Sequence, residues 1–280
     1  MKQQIVLITG CSSGIGRALS IAFHEKGQRV VATARRLDAI ADLKLKGIAV
    51  ERLDVTNQDD IERVVQSVLE REQRIDVLVN NAGFGLIAPL LDVSFEELQN
   101  QFHTNVFGPV QLISAVAPAM RKNKGGTILN IGSISGIVTT PFAGAYCASK
   151  AAMNSISDAL RLELAPFGIR VICVQPGAIE SNFGNSSSAG VQRLVKPESW
   201  YSPIRAHIDK RAQESQSRPM PAEELARKIV SIVASKNPPA IVRLGSRSFI
   251  LPFLKTALPT AVMDVIFRKR FGLDTISSIP

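Results

Sequence analysis

The sequence predicts an α/β fold, a doubly wound parallel sheet of about seven strands with helices on both faces. Three observations predict it. Short runs rich in Val and Ile alternate with amphipathic stretches along the chain. The runs are apolar throughout rather than every second residue, as befits strands covered on both sides. A glycine cluster, Gly10, Gly14 and Gly16, joins the first run to the first amphipathic stretch.

Ile5–Thr9 reads as the first strand and Gly16–Lys26 as the first helix. Arg29–Ala34 and Ala39–Lys46 repeat the pair, as do Ile48–Leu53 and Gln58–Arg71. Ile75–Val79 is a fourth strand, followed by a helix from about Ser94 with Glu96 and Glu97 in its first turn, where the helix dipole favours acids. Thr127–Ile131 precedes a helix around Tyr146, and Ile169–Val174 precedes a long irregular connection. A helix over Ala222–Ala234 and a last strand at Ala240–Leu244 complete the pattern. Residues 1–245 form one domain, with 178–220 a loop or lid over a site, because so long a connection is usually functional. Residues 246–280 are an apolar, basic extension.

Composition excludes several classes. Hydrophobic residues make up 45% and charged residues 20%, a globular balance rather than a disordered one. The net charge of +9 is concentrated at the C-terminal end, where residues 201–280 carry 13 Lys/Arg against 6 Asp/Glu. No nucleic-acid motif accompanies it, so an anionic substrate or lipid surface fits better than nucleic acid. Cys11, Cys147 and Cys173 are an odd, widely spaced set that implies neither disulfides nor zinc, and no metal is expected. The apolar N-terminal run is too short for a signal peptide or a membrane span, so a cytoplasmic protein is expected, with membrane association left open.

The glycine loop sits between a strand and a helix, the context in which backbone can approach a pyrophosphate at a helix N-terminus. Gly10, Ser12, Ser13, Gly14, Ile15 and Gly16 are the candidate contacts. After the second strand an acid would select a ribose 2′-hydroxyl and an arginine a 2′-phosphate. Arg35 and Arg36 stand there, with Asp38 already past the turn, so NADP(H) is the expected cofactor. Asp54 and Val55 end the third strand, where the carboxylate either accepts from the adenine amino group or caps the next helix. Asn81, Ala82 and Gly83 follow the fourth strand, where small residues would admit a cofactor.

Tyr146 and Lys150 are four apart and share a helix face. An ammonium beside a phenol of pKa about 10 favours phenolate, which suits proton transfer coupled to hydride transfer. Ser133 precedes the tyrosine in an uncharged stretch running from Gly125 to Ser149.

With these motifs in this order, the chain resembles the short-chain dehydrogenase/reductase family over roughly residues 3–245, and a Rossmann-like fold is implied. Thr9-Gly10-x-x-x-Gly14-Ile15-Gly16 is similar to its cofactor loop, and Asn80-Asn81-Ala82-Gly83 to its sheet-stabilising motif. Asn105, Ser133, Tyr146 and Lys150 fall where its catalytic four belong. The resemblance implies that Tyr146 exchanges the proton, Lys150 lowers its pKa and holds the nicotinamide ribose, Ser133 hydrogen-bonds the substrate oxygen, and Asn105 holds a water leading to Lys150. Pro176 and Gly177 match the nicotinamide-side turn, with Ile179 beside it and Ser181 in place of the usual threonine. Ser13 stands where a basic residue is sometimes found, which leaves NADP preference to Arg35 and Arg36. The resemblance also implies a homodimer or homotetramer, built on the Tyr146 helix and the one before it.

Phe84, Leu86, Ile87, Ile134, Val138 and Phe142 flank the expected site and read either as the wall for a lipophilic carbonyl or alcohol, such as a steroid, retinoid or acyl-lipid ketone, or as core and interface. Residues 246–272 mix apolar clusters with Lys255, Arg268, Lys269 and Arg270, broken by Pro252 and Pro259. They read as two short helices that make peripheral membrane contact, cap the pocket or bury an interface. A small polar or sugar-like carbonyl is the alternative substrate, and a cofactor-binding sensor without turnover the alternative class.

Overall fold

The computed structural model describes residues 3–276; residues 1–2 and 277–280, the ends of the domain and extension expected above, lie outside them. The elements are β1 (Ile5–Ile8), α1 (Gly14–Glu25), β2 (Arg29–Ala34), α2 (Ala41–Leu45), β3 (Ala49–Arg52), α3 (Gln58–Glu72), β4 (Val77–Asn80), α4 (Phe95–Phe102), α5 (Gly108–Lys122), β5 (Gly126–Ile131), α6 (Gly144–Leu164), β6 (Ile169–Pro176), α7 (Phe183–Leu194), α8 (Arg205–Gln213), α9 (Ala222–Val233), β7 (Ile241–Leu244), α10 (Ile250–Ala257) and α11 (Thr260–Arg270).

The strands form one seven-stranded sheet in the order β3-β2-β1-β4-β5-β6-β7, and each neighbouring pair is parallel. The order reverses between β1 and β4, and ligands of such sheets bind at that switch, beyond the strands' C-terminal ends. Successive side chains of a strand face opposite ways. Accordingly Val6 and Ile8 enter the core beneath α1 and α9, whereas Ile5 and Leu7 enter the core beneath α3 and α5. α9 buries Leu225, Ala226, Ile229, Val230 and Val233, a stripe at helical spacing. Each fully buried aliphatic chain contributes roughly 1.5–3 kcal/mol.

Helix starts follow local chemistry. Ser94 caps α4 by accepting from the Glu97 N–H at 3.2 Å, and Asn57 caps α3 by accepting from Asp60 at 2.9 Å. The helix expected from Ser94 is longer than its signals implied: α4 passes through a π-helical turn, His103–Phe107, directly into α5.

The irregular connection expected between Ile169–Val174 and Ala222 is instead largely helical, holding α7 and α8. Apolar residues of this stretch, Val191, Ile204, Ile208 and Ala212, meet Ile87, Phe142, Cys147 and Phe271 in a third core cluster. Small and polar residues dominate α7 outside those positions, which is why its sequence reads as loop. The extension does fold as two short helices, α10 and α11, which meet at Pro259. Cys11, Cys147 and Cys173 are buried free thiols, and burial pushes Cys11 up to about 11, so they are space-fillers rather than nucleophiles.

Candidate active site

The switch point is locked by Asn81. Its amide donates to the carbonyls of Thr9 (2.9 Å) and Gly10 (3.0 Å), tying the ends of β1 and β4 together. Thr9 Oγ1 accepts from the N–H groups of Asn81 and Ala82, both at 3.0 Å. Gly10 has φ +72°, and a Cβ there would come 2.8 Å from the Ala82 Cα. Gly16 does not line the cavity; a Cβ there would run into the Asn81 amide and the Gly10 carbonyl, so it serves the packing of α1 onto the loop rather than a ligand.

A cavity of about 1190 Å³ opens beyond this lock, larger than the few hundred to about 1,000 Å³ that serve one small ligand. Its wall includes Gly10, Ser12, Ser13, Gly14 and Ile15 at the start of α1, and Arg35, Asp54 and Val55 beyond β2 and β3. Asn81, Ala82, Gly83, Pro176, Gly177, Ile179 and Ser181 line the middle. Arg36 lies outside the wall and faces Asp38 at 3.6 Å, so one of the two expected arginines borders the cavity. Asp54 does not cap α3, a task Asn57 performs; one carboxylate oxygen accepts from the Thr56 N–H and hydroxyl, and Asp54 borders the cavity beside Arg35.

Ser133, Tyr146 and Lys150 meet at the cavity's inner end. Ser133 Oγ accepts from the Ser135 N–H at 3.0 Å, which leaves its hydroxyl proton free to donate. Lys150 Nζ donates to the Ile131 carbonyl at 2.7 Å and lies 5.9 Å from the Tyr146 ring centroid. The electrostatics of the folded site differ from those expected of the isolated pair. Burial pushes the Tyr146 phenol up to about 12, with Ser133 and the Arg211 charge pulling the other way. Burial likewise pushes Lys150 down to about 8. Desolvation therefore outweighs the mutual help that the four-residue spacing implied.

Asn105 stands behind the wall, in the π-helical turn. Its Oδ1 accepts from the Phe84 N–H at 3.1 Å, and its Nδ2 donates to the Phe84 carbonyl at 3.0 Å and to Ser149 Oγ at 3.1 Å. It braces the loop after β4 against α6. Such single π turns cluster at functional sites.

The rest of the wall is mostly apolar. Phe84, Ile87, Ile134 and Val138 line it as expected, whereas Leu86 and Phe142 are core. Phe183 packs against Tyr146 with ring centroids 5.2 Å apart. α10 and α11 supply Ile250, Leu251, Leu254, Met263, Ile266 and Phe267 to the wall. Arg211, Glu214, Arg247 and Arg270, on or near α8 and α11, also line it. No spacing in the sequence marks them, because they come from three separate segments.

Comparison with known proteins agrees with this fold. A family model described as short chain dehydrogenase matches residues 4–192. A 3-ketodihydrosphingosine reductase of Bacteroides thetaiotaomicron is 35% identical over 96% of this chain and 98% of its own length. An NADPH-dependent 1-acyldihydroxyacetone phosphate reductase of Schizosaccharomyces pombe is 36% identical over 74% of this chain and 70% of its own. Among solved structures, a short-chain dehydrogenase from Streptomyces avermitilis superposes with a TM-score of 0.80 at 32% identity, covering 98% of this chain and 99% of its own.

Proposed function

We propose that this chain, which belongs to the short-chain dehydrogenase/reductase family of oxidoreductases acting on alcohol and carbonyl groups, uses NADP(H) to reduce a lipophilic carbonyl compound. The observation that carries the reading is the continuity of the Ser133–Tyr146–Lys150 end of the cavity with the apolar wall from α10 and α11. The similarity to two reductases whose names specify a ketodihydrosphingosine and an acyldihydroxyacetone phosphate points the same way.

The residues fit a dinucleotide. The glycine loop and the first turn of α1 offer backbone N–H groups to a pyrophosphate. Arg35 beside Asp54 fits a 2′-phosphate on an adenosine. When bound, the nicotinamide supplies or accepts the hydride. The protein positions the substrate and moves the proton. The Ser133 hydroxyl donates to the substrate oxygen as negative charge develops there. Tyr146, protonated throughout the neutral range, then gives its proton to that oxygen. Lys150, fixed to Ile131, holds the nicotinamide ribose, and Asn105 holds the loop that carries Phe84.

The outer faces of α10 and α11 leave Phe249, Phe253 and Val265 more than 60% exposed, near Lys255 and Lys269. We read this as peripheral contact of a cytoplasmic enzyme with an anionic membrane, from which lipid substrate enters. Co-sedimentation with vesicles containing anionic lipid checks it; binding unchanged by Phe249→Ser and Phe253→Ser together would remove it. We further read the chain as a homodimer or homotetramer through α5 and α6, and a monomer in light scattering would end that reading.

Oxidation of NADPH with a panel of steroid ketones, retinal, long-chain aldehydes and acyl ketones tests the main proposal. Turnover graded by apolar size supports it. Turnover of small polar carbonyls alone would transfer the assignment to a polar-substrate reductase.

A further inference from the structure

A cluster of charge runs along the apolar chamber from nearly buried Arg211 to the half-exposed Arg247 and Arg270. Arg211 projects from α8 with its side chain only 11% exposed. Its Nε and Nη2 both donate to Thr140 Oγ1, at 3.0 and 2.9 Å, and its Nη1 has no hydrogen-bond partner among the described residues although Arg211 lines the cavity. Thr140 belongs to the loop between Ser133 and Tyr146, so this guanidinium is tied to the catalytic segment. Glu214 lies 3.9 Å from Arg211 Nε and also accepts from Arg247 at 3.2 Å and from Arg270.

Three guanidiniums therefore share one carboxylate. The local charge is close to +2, beside a wall of Ile250, Leu251, Leu254 and Met263. A buried charge whose nearest acceptor is a neutral hydroxyl is costly to keep unless it serves an anion. Thr140 alone would be served as well by a neutral donor. A phosphate monoester carries roughly −1.5 to −2 at pH 7 and offers three acceptor oxygens to such forks. A carboxylate would neutralise only half the cluster, and an ammonium would be repelled.

We infer that Arg211, with Arg247 and Arg270, forms a headgroup subsite that selects carbonyl substrates bearing a phosphate-type dianion next to an apolar chain. The inference rests on the reading of this chain as a lipophilic carbonyl reductase. It makes Arg211 the residue that sets the distance between headgroup and reacting carbon. Burial disfavours the charged form of Arg211, and a bound dianion would offset that cost.

The test compares three long-chain ketones identical except for a terminal phosphate, hydroxyl or ammonium near the carbonyl. For the wild type, kcat/KM should fall in that order, with phosphate preferred over hydroxyl by about 100-fold. Arg211→Gln should shrink that ratio at least tenfold, and Arg211→Lys, which keeps the charge but not the fork to Thr140, should retain part of it. Inorganic phosphate should compete with the hydroxyl ketone in the wild type and less in Arg211→Gln. Equal wild-type kcat/KM for phosphate and hydroxyl ketones, or a ratio unmoved by Arg211→Gln, overturns the subsite while leaving the lipophilic reading intact. No turnover of any of the three, with NADPH still bound, overturns both. If Arg211→Gln fails to fold, competition by inorganic phosphate in the wild type decides: its absence at tens of millimolar sinks the inference.

Discussion

Gly85 lies against the tip of the Phe183 ring. A Cβ at Gly85 would stand 2.7 Å from Phe183 Cε2, 2.9 Å from Cε1 and closer still to Cζ. The ring in turn packs on Tyr146. Gly85→Ala should therefore push Phe183 off the tyrosine and lower kcat/KM by about tenfold, some 1.4 kcal/mol of transition-state stabilisation. Gly85→Ala with Phe183→Leu should recover most of it, because the smaller side chain relieves the collision. A double variant no better than Gly85→Ala would show that the glycine matters for backbone reasons alone.

Tyr146→Phe removes the acid and keeps the ring. Turnover should fall by roughly 10²–10⁴, the usual worth of a positioned proton donor, while NADPH binding followed by fluorescence changes little. Ser133→Ala should cost about 10²–10³ in kcat, as loss of an oxyanion donor does. Retention of more than a tenth of wild-type turnover in Tyr146→Phe would dismiss the tyrosine as acid.

The two arginines after β2 should separate. Arg35 borders the cavity and Arg36 faces Asp38. Arg35→Ala should raise the KM for NADPH by more than tenfold and leave that for NADH nearly unchanged, whereas Arg36→Ala should do far less. An NADPH preference that survives both substitutions together would remove the 2′-phosphate assignment.

Asn105→Ala leaves the part-buried Phe84 N–H without its side-chain partner, while the Phe84 carbonyl keeps its bond from Gln101. The loss should be about 1–3 kcal/mol of stability, the penalty of an unsatisfied buried group. Thermal unfolding measures it, and an unchanged Tm would refute the bracing role.

Much of this site is legible in the sequence, for a physical reason. Gly10, Asn81 and the Tyr146–Lys150 pair act through local geometry: a turn, a strand end, one helix face. Short-range spacing therefore encodes them. The strands are equally plain, because burial on both faces makes Ile5–Ile8 and its counterparts continuously apolar. α7 and α8 are less so, since a Ser- and Gly-rich segment and a strongly charged one become helical only by packing Val191 and Ile208 under Phe271, some 60 to 80 residues further on. Arg211 is invisible for the same reason. Its partners, Thr140 and Glu214, lie on both sides of it, and only the fold brings Arg247 and Arg270 to Glu214. Spacing does not give the pKa values, because proximity is local whereas desolvation depends on everything packed around the pair.

That desolvation has a measurable sign. Lys150 is lowered in the fold from 10.5 to about 8. Between about pH 8 and 10.5 the unfolded chain holds a proton at this lysine that the folded chain has released, so unfolding takes up a proton and stability rises with pH. Below about pH 8 both states are protonated and the penalty of the buried ammonium is constant. Tyr146 acts oppositely and later: with its phenol raised from 10.0 to about 12, the folded state keeps a proton that the unfolded state loses, and its contribution falls away above about pH 10. Urea unfolding of the wild type and of Lys150→Met at pH 7 and 9.5 isolates the first effect. The variant should be the more stable of the two at pH 7, because it buries no charge, and the gap should narrow at pH 9.5. A gap that stays constant or widens would show that Lys150 keeps its ammonium in the folded state, and with it the means to lower the tyrosine that the four-residue spacing implied.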